Sequence, residues 1–337
     1  MPTSKEEHSP WYVQVLLGFS GWLAAIFMLG FLFAALFDTF FRDSISFYVV
    51  GTLMILLSYV ILKKEKSNFV EHLGLAISFA GQSLILIGLF KYMHGNTSFI
   101  WFSIFALQTL LALLMPNYLH RLSSAFFAAF AFSLLFATFG ALHSFSFLLM
   151  ALVAYLWIHE FSVPRKIKKR QALGYGLVLA LILVENTTIL KESMYAWHYR
   201  DALTFTLWFP PYLSPILEGL VVLFTALYVL KQHHIQYKTK VGILLIVSML
   251  FFTVLGLEMP GLMLGILLVL LAFNHSNRVL LGLGIFSLLF SVSSYYYLLE
   301  ITLIDKAMYL ALLGFILLLG RWIVFHLLLP TKEVKHV

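Results

Sequence analysis

The chain contains no cysteine, so disulfides, thiolate nucleophiles and cysteine-ligated metal are all excluded. A membrane protein needs no disulfide, so this absence leaves the compartment open. Charge is scarce: 11% of residues are Asp, Glu, Lys or Arg, against roughly a quarter in soluble globular proteins. Proline is sparse as well, with nine in 337 residues, so little interrupts the long apolar runs. Also missing are H-E-x-x-H, G-x-x-x-x-G-K-[ST] and G-x-S-x-G, which removes the common metallohydrolase, P-loop and serine-hydrolase chemistries. What is abundant is hydrophobic surface, at 61% of residues with a mean hydropathy of +0.95. A soluble protein of this length has no place to bury so much, and a bilayer does. The net charge of +7 does not signal nucleic acid, because the basic residues sit in short loops between apolar runs rather than along one solvated face.

About 20 mostly apolar residues cross the roughly 30 Å of hydrocarbon. That rule predicts an all-α, polytopic membrane protein of about twelve transmembrane helices, at 15–37, 45–62, 70–91, 98–115, 121–140, 144–162, 171–190, 213–231, 239–257, 259–273, 278–299 and 304–323. The first run, Val15 to Phe37, exceeds a signal-peptide core and carries no small-x-small site, so it reads as an uncleaved helix. The tenth is short and begins at Pro260-Gly261, which fits a tilted, broken or re-entrant segment. With this count, seventeen of the 22 Lys and Arg residues fall on one side, and only Arg42, Lys91, Lys191, Arg200 and Lys306 on the other. The positive-inside rule then puts both termini in the cytoplasm. Losing one mid-chain span would destroy the alternation; losing a pair, to give ten, would not.

The chain is expected to form a single membrane domain over 1–337, with six-helix halves at 1–164 and 171–337 joined by the basic run Arg165 to Arg170. That run reads as a cytoplasmic anchor beside anionic lipid. The longest outer segment, 191–212, is rich in Tyr and Trp, which favour the headgroup region, so it is expected to lie along the membrane surface. Its Trp197 and Trp208, with Tyr296, are candidate partner contacts; the Tyr295-Tyr296-Tyr297 run reads as an aromatic belt rather than a ligand stack.

Ionisable groups inside hydrocarbon are costly and need a reason. Glu185 lies in the outer part of the seventh span, and Glu218 about one and a half turns into the eighth. The two helices run in opposite directions, so the carboxyl groups reach similar depths, and a shared proton would relieve their repulsion if they faced each other. Glu258, before Pro260-Gly261, and Glu300, at the end of the eleventh span, belong to the same outer half, as do His143 and His198. The four glutamates are the candidate proton or substrate site; the alternative is that they are ordinary interfacial residues. Gln82, Ser83, Gln108 and Thr109 are expected to make interhelical hydrogen bonds, and Gly261-x-x-x-Gly265 to let helices approach closely. The pair His233-His234 stands in a loop without a nearby carboxylate, and no metal site or cofactor is expected.

The stretches Leu255 to Gly265, Asn277 to Gly284, Ser294 to Glu300, Thr302 to Lys306 and Gly314 to Trp322 resemble a bacterial family of multi-pass membrane proteins, domain of unknown function 4401. The run Gly18-Phe19-Ser20-Gly21-Trp22 is similar too, whereas Ala307 replaces an expected serine. The resemblance implies a bacterial inner-membrane location and, because such proteins tend to be encoded beside a membrane-anchored protein with a G-D-Y-x-x-L-x-Y motif, a partner with a periplasmic domain. The family has no assigned activity, so no residue role carries over.

Three functions follow as expectations. The first is a binding or scaffolding component of an envelope complex. Next comes a proton-coupled secondary transporter using the outer glutamates. A membrane-embedded enzyme is third, since the sequence offers no nucleophile or metal constellation to run it.

Overall fold

A computed structural model describes residues 44–64, 68–92, 96–139, 141, 143–186, 210, 212–298 and 302–323, with single positions between 16 and 34. Among the described residues there are α-helices and short 3₁₀ turns but no strand. The bounded α-helices are α1 (Ser44–Lys64), α2 (Asn68–Tyr92), α3 (Thr97–Leu114), α4 (Tyr118–Ala137), α5 (Ser146–Ile158), α6 (Ile167–Asn186), α7 (Leu213–Gln232), α8 (Lys240–Gly256), α9 (Leu262–His275), α10 (Arg278–Leu298) and α11 (Leu303–Ile323). Seven of these, α1 to α4, α7, α10 and α11, are long and apolar enough to cross a membrane. Their outward Leu, Ile, Val and Phe side chains are exposed, as a lipid-facing surface requires. The chain is thus an all-helical membrane protein.

The described chain divides into two compact units, Met1–Leu135 with Arg165–Leu177, and Phe136–Pro164 with Val178–Val337. In the first unit, α1 and α2 form an antiparallel pair. Their close approach follows from the glycines Gly74, Gly81 and Gly88, spaced every seven residues along one face of α2. A Cβ on Gly81 would stand 2.6 Å from the Gly51 carbonyl oxygen, and the reverse holds for Gly51. Ser58 Oγ donates across the pair to the Gly74 carbonyl at 2.7 Å. Leu89, Ile100, Ile104 and Ala131 then pack α2, α3 and α4 together. The carboxyl end of α3 is held by cations: Arg121 donates to the carbonyls of Ala112 (3.0 Å) and Met115, and Lys169 Nζ to that of Leu113 (2.9 Å). Cations here satisfy orphan carbonyls and oppose the helix dipole. Partial burial, followed by the nearby charges of Arg121 and Lys166, lowers the pKa of Lys169.

In the second unit the most apolar segment is central. Helix α9 has 14 residues, about 21 Å of rise, and it packs against α5, α7, α8 and α10. Leu264, Leu267, Leu268 and Leu271 are fully buried. A helix hydrophobic all round belongs in a core, and this one is too short to cross hydrocarbon unaided. Gly261 begins α9 with φ +83°, a backbone conformation that glycine adopts without strain. Gly265 lets α10 approach, since its Cβ would stand 2.6 Å from the Leu288 side chain. Of the two glycines in the G-x-x-x-G spacing, one therefore turns the chain and the other packs a helix. Helix α5, with 13 residues, ends before the expected 162, and 3₁₀ turns at Glu160–Ser162 and Pro164–Lys166 complete the connection to α6.

Candidate functional site

Two carboxyl groups meet inside the second unit. Glu185 is the penultimate residue of α6, and Glu218 lies in the second turn of α7. They are 2% and 4% exposed, and close enough to interact electrostatically. His143, in the turn preceding α5, brings its Nδ1 to 3.7 Å from Glu185 Oε1. Both imidazole nitrogens are shielded from solvent and make no hydrogen bond with a described residue.

Ser214 ties these segments together. Four residues before Glu218, it lies on the same face of α7. Its Oγ is 2.6 Å from the His143 carbonyl oxygen and 3.1 Å from Glu218 Oε1. Asn186 donates from Nδ2 to the Ile182 carbonyl at 2.9 Å, and its amide lies against Gly261 at the start of α9. Ser291 of α10 donates to the Pro260 carbonyl at 2.6 Å, which anchors that same turn. The α5 entrance, the end of α6, the start of α7 and the α8–α9 turn are thereby gathered around the two glutamates. Chemically, the arrangement offers two buried carboxyls and an imidazole, three groups that exchange protons and that cannot all carry charge without large desolvation costs.

The remaining candidates lie elsewhere. Glu258 is in the turn after α8, exposed and without an ion pair to any described residue. Glu300, His198, Trp197 and Trp208 are outside the described residues, as is most of 191–212. Tyr296 is half-buried, with Lys306 Nζ 5.1 Å from its ring centroid and Tyr297 edge-on at 5.7 Å. Among the described residues no group of three or more His, Asp or Glu is placed to hold a metal ion.

Two residues of consequence escaped the sequence reading. Ser214 was legible from its i, i+4 spacing to Glu218. His120 was hidden by a boundary: the fifth span is expected from 121, but α4 starts at Tyr118 and buries His120 completely. Its ring accepts or donates to Ser78 Oγ at 2.6 Å and Ser124 Oγ at 3.1 Å.

No curated protein and no solved structure matches the chain. A family model described as a domain of unknown function, DUF4401, matches residues 10–326. That match spans all the described helices, so the chain belongs to the DUF4401 family.

Proposed function

We propose that this is a bacterial inner-membrane protein of about twelve spans, both termini cytoplasmic, that binds and releases a proton at Glu185, Glu218 and His143 while moving a substrate across the membrane. One observation carries the reading: the pairing of two buried carboxyl groups with a buried-edge imidazole among apolar helices. Ionisable groups there mark proton relays more often than structure, because structure alone is cheaper to build from apolar side chains.

Hydrogen-bond accounting supports a proton resident at the site. A serine hydroxyl has one hydrogen, and a carbonyl oxygen can only accept. With the Ser214 hydrogen directed to the His143 carbonyl at 2.6 Å, the 3.1 Å contact with Glu218 is satisfied when the carboxyl group itself carries a proton. Glu185 is then the anionic partner that His143, when protonated, offsets.

Infrared difference spectroscopy of purified protein across a pH step tests this. A protonated-carboxyl band that shifts in heavy water and vanishes in Glu218→Gln is expected; an identical band in that variant removes Glu218 as the proton holder. In vesicles carrying an imposed pH gradient, Glu185→Gln should reduce proton-coupled flux at least tenfold, which corresponds to about 1.4 kcal/mol. Equal flux in variant and wild type dismisses Glu185 as a carrier.

A second reading, association with a membrane-anchored partner bearing a periplasmic domain, is favoured by α11. None of the described side chains in its apolar 18-residue window is buried among the described residues. Loss of a co-purifying partner on replacing Tyr296, beside Lys306 at the start of α11, would support it; undisturbed association would remove that contact.

A further inference from the structure

The first unit holds a cavity of about 560 Å³ between α2, α3 and α4 that owes nothing to the glutamate cluster. Its walls are aromatic: Phe79 and Phe90 from α2, Trp101 from α3, and Phe127 and Phe130 from α4. Phe90 and Phe127 are 49% and 42% exposed, so the cavity opens sideways on the apolar surface of three helices able to cross a membrane. A lipid-soluble molecule can enter there without leaving the bilayer.

The floor of the cavity is polar and incompletely satisfied. Gln108, 3% exposed, donates from Nε2 to Gln82 Oε1 at 2.7 Å, but its own Oε1 has no hydrogen-bond partner. Flipping the amide exchanges which atom pairs with Gln82 and still leaves one unpaired. Behind it, Gln82 Nε2 donates to Ser78 Oγ at 3.2 Å, and Ser78 meets the buried His120. That chain fixes Gln82 from the far side, and both glutamines line the cavity, which places the unpaired Gln108 amide in its wall. An unpaired buried amide oxygen is costly, and a hydroxyl donated by a ligand would recover that cost.

We propose that this cavity binds a neutral, lipid-soluble phenol or hydroquinone, its ring between the aromatic walls and one hydroxyl donating to Gln108. Three observations select that class. Among the described residues no Lys, Arg or acidic residue lines the cavity, so a phosphate or ammonium headgroup finds no counter-charge there. An acyl chain fills the space but has no donor for Gln108. Five aromatic side chains favour a flat ring through stacked or edge contacts, and about 560 Å³ lies within the range of small-molecule sites.

The test uses the full chain in lipid nanodiscs and two probes: a decyl-substituted hydroquinone and its dimethyl ether. Trp101 reports binding as the quenching lost in Trp101→Phe. Saturable binding of the hydroquinone is expected, with the ether roughly tenfold weaker, the worth of one hydrogen bond. Gln108→Leu should weaken the hydroquinone to the level of the ether and leave the ether unchanged. Equal affinity of wild type for the two probes, or no saturable binding, overturns the proposal. So does a folded Gln108→Leu that binds the hydroquinone as wild type does; if that variant does not fold, the wild-type comparison of probes decides alone.

Discussion

Gly81→Ala puts the helix-pair geometry to a quantitative test. The added methyl carbon would stand 2.6 Å from the Gly51 carbonyl oxygen and 3.0 Å from Met54 Cβ. The first distance is about 0.8 Å inside ordinary van der Waals contact, and the obstacle is backbone, which cannot rotate away as a side chain could. The helices must therefore part, and the 2.7 Å bond from Ser58 to the Gly74 carbonyl stretches with them. Overpacking of this kind costs about 1–3 kcal/mol. Alanine also gains up to about 1 kcal/mol in helix propensity, which must be removed from the comparison. Gly282→Ala and Gly314→Ala do so, because no described atom lies within 4 Å of a Cβ at either position. The assay is unfolding of purified protein in mixed micelles with increasing SDS, followed by circular dichroism. Gly81→Ala should unfold about 1–3 kcal/mol more easily than either control. Gly51→Ala should behave alike, and the double variant should cost less than the sum, since one separation relieves both contacts. An unfolding midpoint for Gly81→Ala equal to that of the controls refutes the packing.

Three further outcomes follow from the same structure. Ser214→Ala deprives the His143 carbonyl of its donor, so it should destabilise the protein by about 1–3 kcal/mol in that unfolding assay, with Ser214→Thr largely restoring it. Arg121→Gln should cost about 1.5–3 kcal/mol through the carbonyls of Ala112 and Met115, while Lys169→Ala, at a partly exposed single bond, should cost less than about 1 kcal/mol; the reverse order would refute the capping argument. Because the chain has no cysteine, single cysteines at the exposed positions Gln236 and Glu258 can be labelled with an impermeant maleimide. Glu258→Cys should react from outside the cell and Gln236→Cys only after permeabilisation, and reaction of both from one side would refute the proposed topology of α8.

Class was decided by sequence alone, and for a simple reason. A bilayer excludes unpaired backbone polar groups, so each long apolar run must be helical whatever its neighbours do. Helices α1 to α4, α7, α10 and α11 accordingly lie where single-run hydropathy predicts them. The same local signal marked Gln82, Ser83, Gln108 and Thr109 for interhelical hydrogen bonds: Gln82 and Gln108 bond to each other, whereas Ser83 bonds within its own helix to the Phe79 carbonyl and Thr109 Oγ1 makes no bond to a described residue. Boundaries were less legible. A three-residue difference at the start of α4 hid His120, because hydropathy averages over a window and cannot see which single side chain a neighbouring helix covers.

Tertiary structure decided everything that depends on which faces meet. Sequence put Glu185 and Glu218 at matching depths on antiparallel segments, but depth along a helix says nothing of rotation about its axis. Only the gathering of the α5 entrance, α6, α7 and the α8–α9 turn brings the two carboxyls and His143 together. The apolar α9 reads in sequence as one more span, and its packing against α5, α7, α8 and α10 makes it the core of its unit. Its leucines are equally soluble in lipid and in protein, so composition could not choose between the two, and packing did.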